Sequence, residues 1–307
     1  MALGTMYFGT RVDDRSAFAI LDRYVELGGR WLDTSNNYSF WTSDTGFGGQ
    51  SEALLGRWLR SNPGVAVRIS TKVGAQPTCL GGFPDHLEGL GRDTVRKSLG
   101  ASLERLGVDA VDLYWAHVED PAVSVDDLVA TFGGLVADGS VGRYGISNHP
   151  SWLLERIRSA AERGGYPQPS AYQQRYSYFQ PLAGQPVEGQ PIPLGMLSDD
   201  GRDFLRRNPD ISGWVYTATL LGGYDRSDRP LSEEYLHVGN EWRRTALTAI
   251  ARERGLRPGQ VALAWLASSR PQLIPIVGVS TIEQVEQAWS GVTTTLTEDD
   301  MATLDTV

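Results

Sequence analysis

Four residues of this chain have types suited to moving a proton onto an oxygen: Asp33, Tyr38, Lys72 and His117. A phenol titrates near ~10, so Tyr38 is a weak acid that keeps its proton at neutral pH. An ammonium beside it favours the phenolate and draws that pKa toward a catalytic range. Lys72 can supply the ammonium, and Asp33 can hold it charged and in place. Lys72 and Lys97 are the only lysines among 28 basic residues, and arginine offers no comparably tunable pKa. His117 would hydrogen-bond the substrate oxygen and orient it against developing negative charge. Such a set protonates a carbonyl oxygen while hydride reaches its carbon from another species. No metal-ligand spacing is visible in the sequence, so that hydride is expected from an organic cofactor.

Each residue also has a plainer use. His117 after an apolar strand suits a structural role, Asp33 can cap a turn through Thr34 and Ser35, and Tyr38 can simply pack. Lys72, at the end of a buried strand, requires a partner. The elements around the four residues favour the chemical reading. Strands are expected at Ala2–Met6, Trp31–Thr34, Val67–Thr71, Val111–Ala116, Arg143–Ser147, Ser170–Gln173, Gly213–Thr217 and Leu273–Val277. Runs such as VDLYWA and LIPIV are mostly apolar, as in parallel strands buried on both faces. Between them lie helical patterns at Ser51–Leu59, Arg92–Leu106, Asp126–Ala137, Trp152–Arg163, Glu241–Arg254 and Gly259–Ala267. Ser124, Asp138-Gly139 and Gly255 supply terminus signals.

Strict alternation of eight strands with helices fits a doubly wound sheet or a closed α/β barrel. A dinucleotide-binding doubly wound sheet needs a G-x-G-x-x-G turn after an early strand, and TMYFGT and SNNYSF carry none. The expected architecture is therefore one (β/α)8 barrel domain spanning residues 1–307. In that fold Asp33, Lys72, His117 and the pair Ser147-Asn148, each just past a different strand, converge at one mouth. Long loops are expected at Ser39–Gln50, Phe179–Gly195 and Leu220–Gly239.

Composition limits the partners. The chain is 41% hydrophobic with a net charge of −9, which suits a globular protein and disfavours nucleic-acid or anionic-membrane partners. No apolar run reaches membrane-spanning length, and the start MALGTMYFGT lacks a secretory pattern. A single cysteine, Cys79, allows no internal disulfide; the expected setting is cytoplasmic.

Motifs in order along the chain resemble the aldo-keto reductase family: DTSNNY from Asp33, SEALLGRWL from Ser51, STKVG from Ser70, SLERLGVDAVDLYWAH from Ser102 and VGRYGISN from Val141. The resemblance implies a TIM barrel with Asp33, Tyr38, Lys72 and His117 as catalytic tetrad and Tyr38 as acid/base. It implies that Ser147, Asn148 and Gln173 bind the nicotinamide carboxamide and that Tyr216 stacks on its ring. Gly4, Thr5 and Met6 would end the first strand beside the cofactor, with Gly278, Ser280, Thr281 and Gln284 after the eighth. Three departures from the family pattern stand out. The N-terminal hairpin that plugs the barrel floor is expected to be absent or truncated. The loop after Tyr38 is longer and carries Phe40, Trp41 and Phe47, which with Tyr7, Phe8 and Trp115 suggest an aromatic-walled substrate pocket. Finally, GVSTIEQVEQAW lacks the basic residues that usually grip the 2′-phosphate of NADP, Gln284 standing where arginine is frequent. NADP(H) is the cofactor the resemblance implies, with NAD(H) as the alternative.

The function expected is reduction of an aldehyde or ketone to an alcohol. Two alternatives remain at this level: dehydrogenation of an alcohol or sugar hemiacetal by the same residues, and a cofactor-binding regulatory subunit without turnover.

Overall fold

The computed structural model describes residues 1–187 and 195–306. Eight strands, β1 (Ala2–Gly4), β2 (Trp31–Asp33), β3 (Arg68–Val73), β4 (Leu113–Ala116), β5 (Tyr144–Ser147), β6 (Ala171–Arg175), β7 (Ser212–Tyr216) and β8 (Leu273–Gly278), form a closed parallel barrel. Each pairs with the next, and β8 returns to β1 with Gly4 opposite Gly278. All eight expected strands are present, their ends differing by no more than two residues. The expected helices correspond to α2 (Gln50–Ser61), α3 (Arg92–Leu106), α4 (Val125–Ala137), α5 (Ser151–Gly164), α7 (Val238–Arg254) and α8 (Pro258–Ser268).

Among the described residues four further helices occur: α1 (Asp14–Glu26), α6 (Asp199–Arg207), α9 (Ile282–Thr293) and α10 (Glu298–Asp305). Local signals mark them. Asp13 accepts from Ser16 N at 2.9 Å to start α1, and Thr297 and Asp300 form a reciprocal capping box at α10. α6 buries only Gly201 and Leu205 among nine residues, so its apolar stripe is too thin to read as a helix. The loop expected at Ser39–Gln50 contains a 3-10 turn at Phe40–Thr42. The one expected at Leu220–Gly239 contains turns at Leu220–Gly222 and Glu233–Tyr235 and runs into α7. The third expected loop, Phe179–Gly195, falls partly on residues 188–194, which lie outside the described residues.

Alternation along the strands decides what fills the barrel and what faces the helices. Inward-facing Ala2, Leu113, Trp115, Ala171, Trp214 and Ile276 form a closed apolar cluster, flanked by Trp31 and Ile274. Its indoles pack edge to face, Trp31 on Trp214 at 5.1 Å and Trp115 on Trp214 at 5.7 Å between ring centres. Gly145 makes room for this, because a Cβ there would lie 2.4 Å from Trp115 Cζ3. Outward-facing residues meet the helices: Tyr114 packs on Phe132 of α4, and Trp58 of α2 donates to Asp22 of α1 at 2.8 Å. With its interior filled by indoles, the barrel gathers Asp33, Lys72, His117 and Ser147 at the strand C-termini. Among the described residues no helix is long and apolar enough to cross a membrane.

Candidate active site

Parallel pairing of β2 with β3 sets Asp33 opposite Ser70, and Lys72 lies two residues farther along the same inward face. The chain then turns back after Asp33, with Asn36 N donating to Lys72 O at 3.3 Å, and brings Tyr38 over the strand ends. Ser39 fixes the exit from this turn in a left-handed conformation (φ 67°). Thr10 donates to its hydroxyl at 3.0 Å, and that hydroxyl donates to Met6 O.

The result is a junction around one ammonium. Lys72 Nζ donates to Asp33 Oδ2 at 2.5 Å, to Thr34 O at 2.8 Å and to Tyr38 Oη at 2.7 Å. All three of its protons are therefore placed. Asp33 also accepts from Ser70 Oγ at 2.7 Å, with the Tyr38 hydroxyl 3.3 Å from its other oxygen. Burial draws the Lys72 pKa down, and the Asp33 charge opposes that.

The expected lowering of the Tyr38 pKa does not occur in this geometry. Burial, followed by the Asp33 charge and its hydrogen bond, pushes the phenol well above its ordinary value. Asp33 cancels the Lys72 charge, so Tyr38 faces a neutral ion pair rather than a lone cation. The phenol keeps its proton, which is the form able to donate to a carbonyl oxygen.

His117 follows β4, its backbone N–H held by Val73 O at 2.9 Å. Its ring lies 6.2 Å from that of Tyr38 at 75°, and its Nδ1 lies 3.3 Å from Ser35 Oγ. Burial, with Lys72 nearby, lowers its pKa well below the ordinary value, so the imidazole is neutral.

Ser147 and Gln173 face each other across β5 and β6. Ser147 Oγ is buried and has no partner among the described residues, an arrangement that leaves a hydroxyl for a ligand amide. Gln173 Nε2 is 3.5 Å from Asp33 Oδ1. Asn148, adopted in a left-handed conformation (φ 58°), spends its amide inside the protein: Nδ2 donates to His117 O at 2.8 Å and Oδ1 accepts from Tyr216 at 2.7 Å. It thus ties the His117 loop to the aromatic ring expected to stack on nicotinamide. Thr217, next to that ring, also takes a positive φ of 60°, an uncommon conformation for a β-branched residue that clusters at binding sites.

The opposite rim is built by β1 and β8. A Cβ on Gly278 would meet only Gly4 O, 3.9 Å away, so the surface there is open enough for a ligand to approach the backbone. Thr5 does not present its side chain to this rim; its hydroxyl is spent on Asp33 O at 3.1 Å and Ser51 at 2.8 Å. Beyond β8, Gln284 Oε1 accepts from Ser280 N at 2.7 Å and Thr281 caps α9 through Gln284 N at 3.2 Å. Glu283 and Arg257 lie 3.5 Å apart nearby.

An aromatic wall stands beside the mouth. Trp41 is 44% exposed, with its ring 6.2 Å from Tyr7 and 4.9 Å from Phe40, which in turn lies 5.2 Å from Phe83. Phe47 is partly buried and makes no ring contact with this group. Two expected members are corrected. Phe8 belongs to the outer hydrophobic core, because the turn after β1 points it away from the mouth. Trp115 is fully buried in the barrel interior, packed on Trp214, because it sits one inward position below His117.

Sequence reasoning passed over two residues that organise the loops. Glu88 Oε1 accepts from Asn36 Nδ2 at 2.8 Å and Gly74 N at 2.8 Å, and its Oε2 from Ser98 at 2.7 Å. Nothing in the local sequence marks it. Phe83 closes the aromatic wall from the β3–α3 loop and was equally unmarked.

The chain resembles curated proteins over most of its length. It is 29% identical to norsolorinic acid reductase stcV of Emericella nidulans, covering 93% of this chain and 72% of that protein. It is 26% identical to the oxidoreductase YrpG of Bacillus subtilis, covering 100% and 91% respectively. A third relative, aryl-alcohol dehydrogenase GME11368 of Pestalotiopsis microspora, is 27% identical over 94% of this chain and 71% of its own. The model of the aldo/keto reductase family matches residues 1–307. A closed barrel with a polar junction at its mouth and this full-length match lead to one conclusion: the chain belongs to the aldo/keto reductase family.

Proposed function

We propose that this protein reduces an aldehyde or ketone to the alcohol, with Tyr38 as the proton donor and a nicotinamide cofactor as reductant. Membership of the family makes the chain an oxidoreductase acting on small carbonyl compounds. The observation that carries the finer reading is the Lys72 junction, which holds a protonated phenol at the mouth against a charged but neutralised pair. Ser147, with its buried and unpartnered hydroxyl, and Gln173 would hold the carboxamide of the nicotinamide, and Tyr216 would support its ring. When bound, that cofactor supplies hydride to the carbonyl carbon. Tyr38 gives its proton to the carbonyl oxygen as negative charge builds there, and the Lys72 ammonium at 2.7 Å stabilises the phenolate left behind. Asp33 keeps Lys72 charged through the cycle.

The same groups run the reverse reaction, so oxidation of an alcohol or hemiacetal is the second reading. The relative named as an aryl-alcohol dehydrogenase favours it. NADP(H) is the proposed cofactor, as is typical of the family. Carboxylates at Glu283 and Glu286 and the neutralised Arg257 near α9 give NAD(H) as the alternative.

Tryptophan fluorescence titrated with NADPH and NADH at one ionic strength tests the cofactor. Tighter NADPH binding supports the proposal, tighter NADH binding reverses the cofactor assignment, and binding of neither overturns the reductase reading. Tyr38→Phe should bind cofactor as the parent does and lose about 10²–10⁴-fold in turnover. Parent-like turnover would remove Tyr38 from the mechanism, whereas a parent that binds cofactor without turnover would revive the reading as a regulatory subunit.

A further inference from the structure

At the end opposite the mouth, the lowest interior layer of the barrel carries two cations. Strand alternation turns Trp31, Arg68 and Arg143 inward at the strand N-termini. Arg68 pairs with Trp31 across β2 and β3, and Arg143 lies two residues before Gly145, the glycine under the Trp115 ring. Both guanidinium groups stand over the Trp31 ring, Arg68 Cζ at 5.6 Å and Arg143 Cζ at 5.2 Å from its centre. Neither donates a side-chain hydrogen bond or forms an ion pair among the described residues. Asp112, just before β4, spends Oδ2 on Ile69 N at 2.8 Å. Arg30 is turned away, onto Val25 O and Gly29 O at 3.2 and 2.7 Å. Burial and then the Arg68 charge draw the Arg143 pKa below its ordinary value, with Asp112 opposing. Two like charges are thus held on one indole in a chain of net charge −9, a repulsion that a bound anion would offset. Arg68 is exposed, and Trp31, Arg143 and Ile274 are partly buried, so small ions reach this layer from outside the barrel.

We propose that this floor layer is an oxyanion site, in which Arg68 and Arg143 together grip a phosphate or sulfate group beside Trp31. Each guanidinium presents a planar fork of N–H donors and no acceptor. A carboxylate satisfies one such fork, whereas a tetrahedral oxyanion has oxygens for both. The group can be the free ion or the phosphate of a small ester, which offer the arginines the same chemistry. Bound there, it joins β3 to the start of β5 and stabilises the folded barrel by mass action. The site is separated from Asp33 and Lys72 by the Trp115–Trp214 layer, so it stands independently of the reaction at the mouth.

Isothermal titration with inorganic phosphate, against chloride at the same ionic strength, tests the site without any turnover. The parent should bind phosphate saturably, and its Tm should rise by about 2–4 °C at a concentration of roughly ten times Kd. Arg68→Gln and Arg143→Gln should each weaken phosphate by about tenfold or more. Arg156→Gln, which removes a guanidinium 5.9 Å from the exposed Trp152 ring, should leave it unchanged. Where a glutamine variant fails to fold, Arg143→Lys keeps the charge but not the fork, and should weaken phosphate with a parent-like Tm in chloride. Phenyl phosphate separates the two sources: tighter binding than inorganic phosphate supports an ester ligand, and weaker binding supports the free ion. No saturable binding of either probe overturns the proposal, as does an equal loss in Arg156→Gln or none in the floor variants. A phosphate signal displaced by NADPH would place the anion at the mouth and overturn it too.

Discussion

Lys72 Nζ lies 2.5 Å from Asp33 Oδ2, and neither side chain reaches solvent. A buried ion pair of this kind adds little to stability as a pair, since desolvating two charges offsets their attraction. Its members are nevertheless dependent on one another. Lys72→Met should cost about 3–5 kcal/mol because it strands the Asp33 carboxylate, measured by urea unfolding. Adding Asp33→Asn should recover a large part of that loss. A double variant no more stable than Lys72→Met would mean that the two charges are not coupled.

Two histidines, His149 in the interior and His117 at the mouth, tie stability to pH. Burial lowers His149 to about 4 despite its hydrogen bond to Ser147 O, and His117 well below its usual value. The unfolded chain takes up these protons near ~6.5, before the folded chain does. The stabilisation is therefore complete above pH ~6.5 and is lost as pH falls toward the folded pKa. His149 alone should account for roughly 3 kcal/mol between pH ~6.5 and ~4. His149→Phe should flatten that part of the curve of unfolding free energy against pH; an unchanged slope would assign it to other groups.

Tyr7 and Trp41 meet edge to face beside the mouth. Trp41→Ala should raise the KM for an aromatic aldehyde by about tenfold, the equivalent of ~1.4 kcal/mol of lost contact, while the cofactor Kd stays within twofold of the parent by the same scale. Equal losses for both ligands would show that the loop shapes the cofactor site instead.

Gln284 uses its side chain to cap Ser280 N at the start of α9. Gln284→Arg places a cation where the family usually has one. A charge-assisted contact of ~1.5–3 kcal/mol should tighten NADPH by tenfold or more and leave NADH unchanged. Parallel gains for both cofactors would indicate a general effect on the rim rather than a grip on the 2′-phosphate.

Gly145 lies under the Trp115 ring, and a Cβ there would also come within 3.0 Å of Ala171 O. Gly145→Ala should destabilise by about 1–3 kcal/mol through overpacking of the barrel interior. A shift of the Trp115 fluorescence should accompany it. A variant as stable as the parent would show that the indoles can slide.

Sequence periodicity narrowed the fold to a doubly wound sheet or a barrel, because parallel strands buried on both faces must be apolar runs separated by helices, as around Leu113–Ala116 and Leu273–Gly278, and the lack of a G-x-G-x-x-G turn favoured the barrel. It also determined Asp33, Lys72 and His117 as neighbours, since residues just past successive barrel strands share one mouth. Short, charged α6 was not legible, its signal being spread over too few buried positions. Tertiary structure alone decided which way side chains point once the chain leaves a strand. It sent Phe8 into the outer core, Trp115 into the barrel and Thr5 toward Ser51. It also turned Asn148 inward onto His117 O and Tyr216. The charge state of Tyr38 was decided there too: sequence supplies a lysine beside a phenol, but only the fold shows that Asp33 neutralises that lysine at 2.5 Å and that burial then keeps the phenol protonated. Electrostatics depends on distance and desolvation, and neither is written in the order of residues.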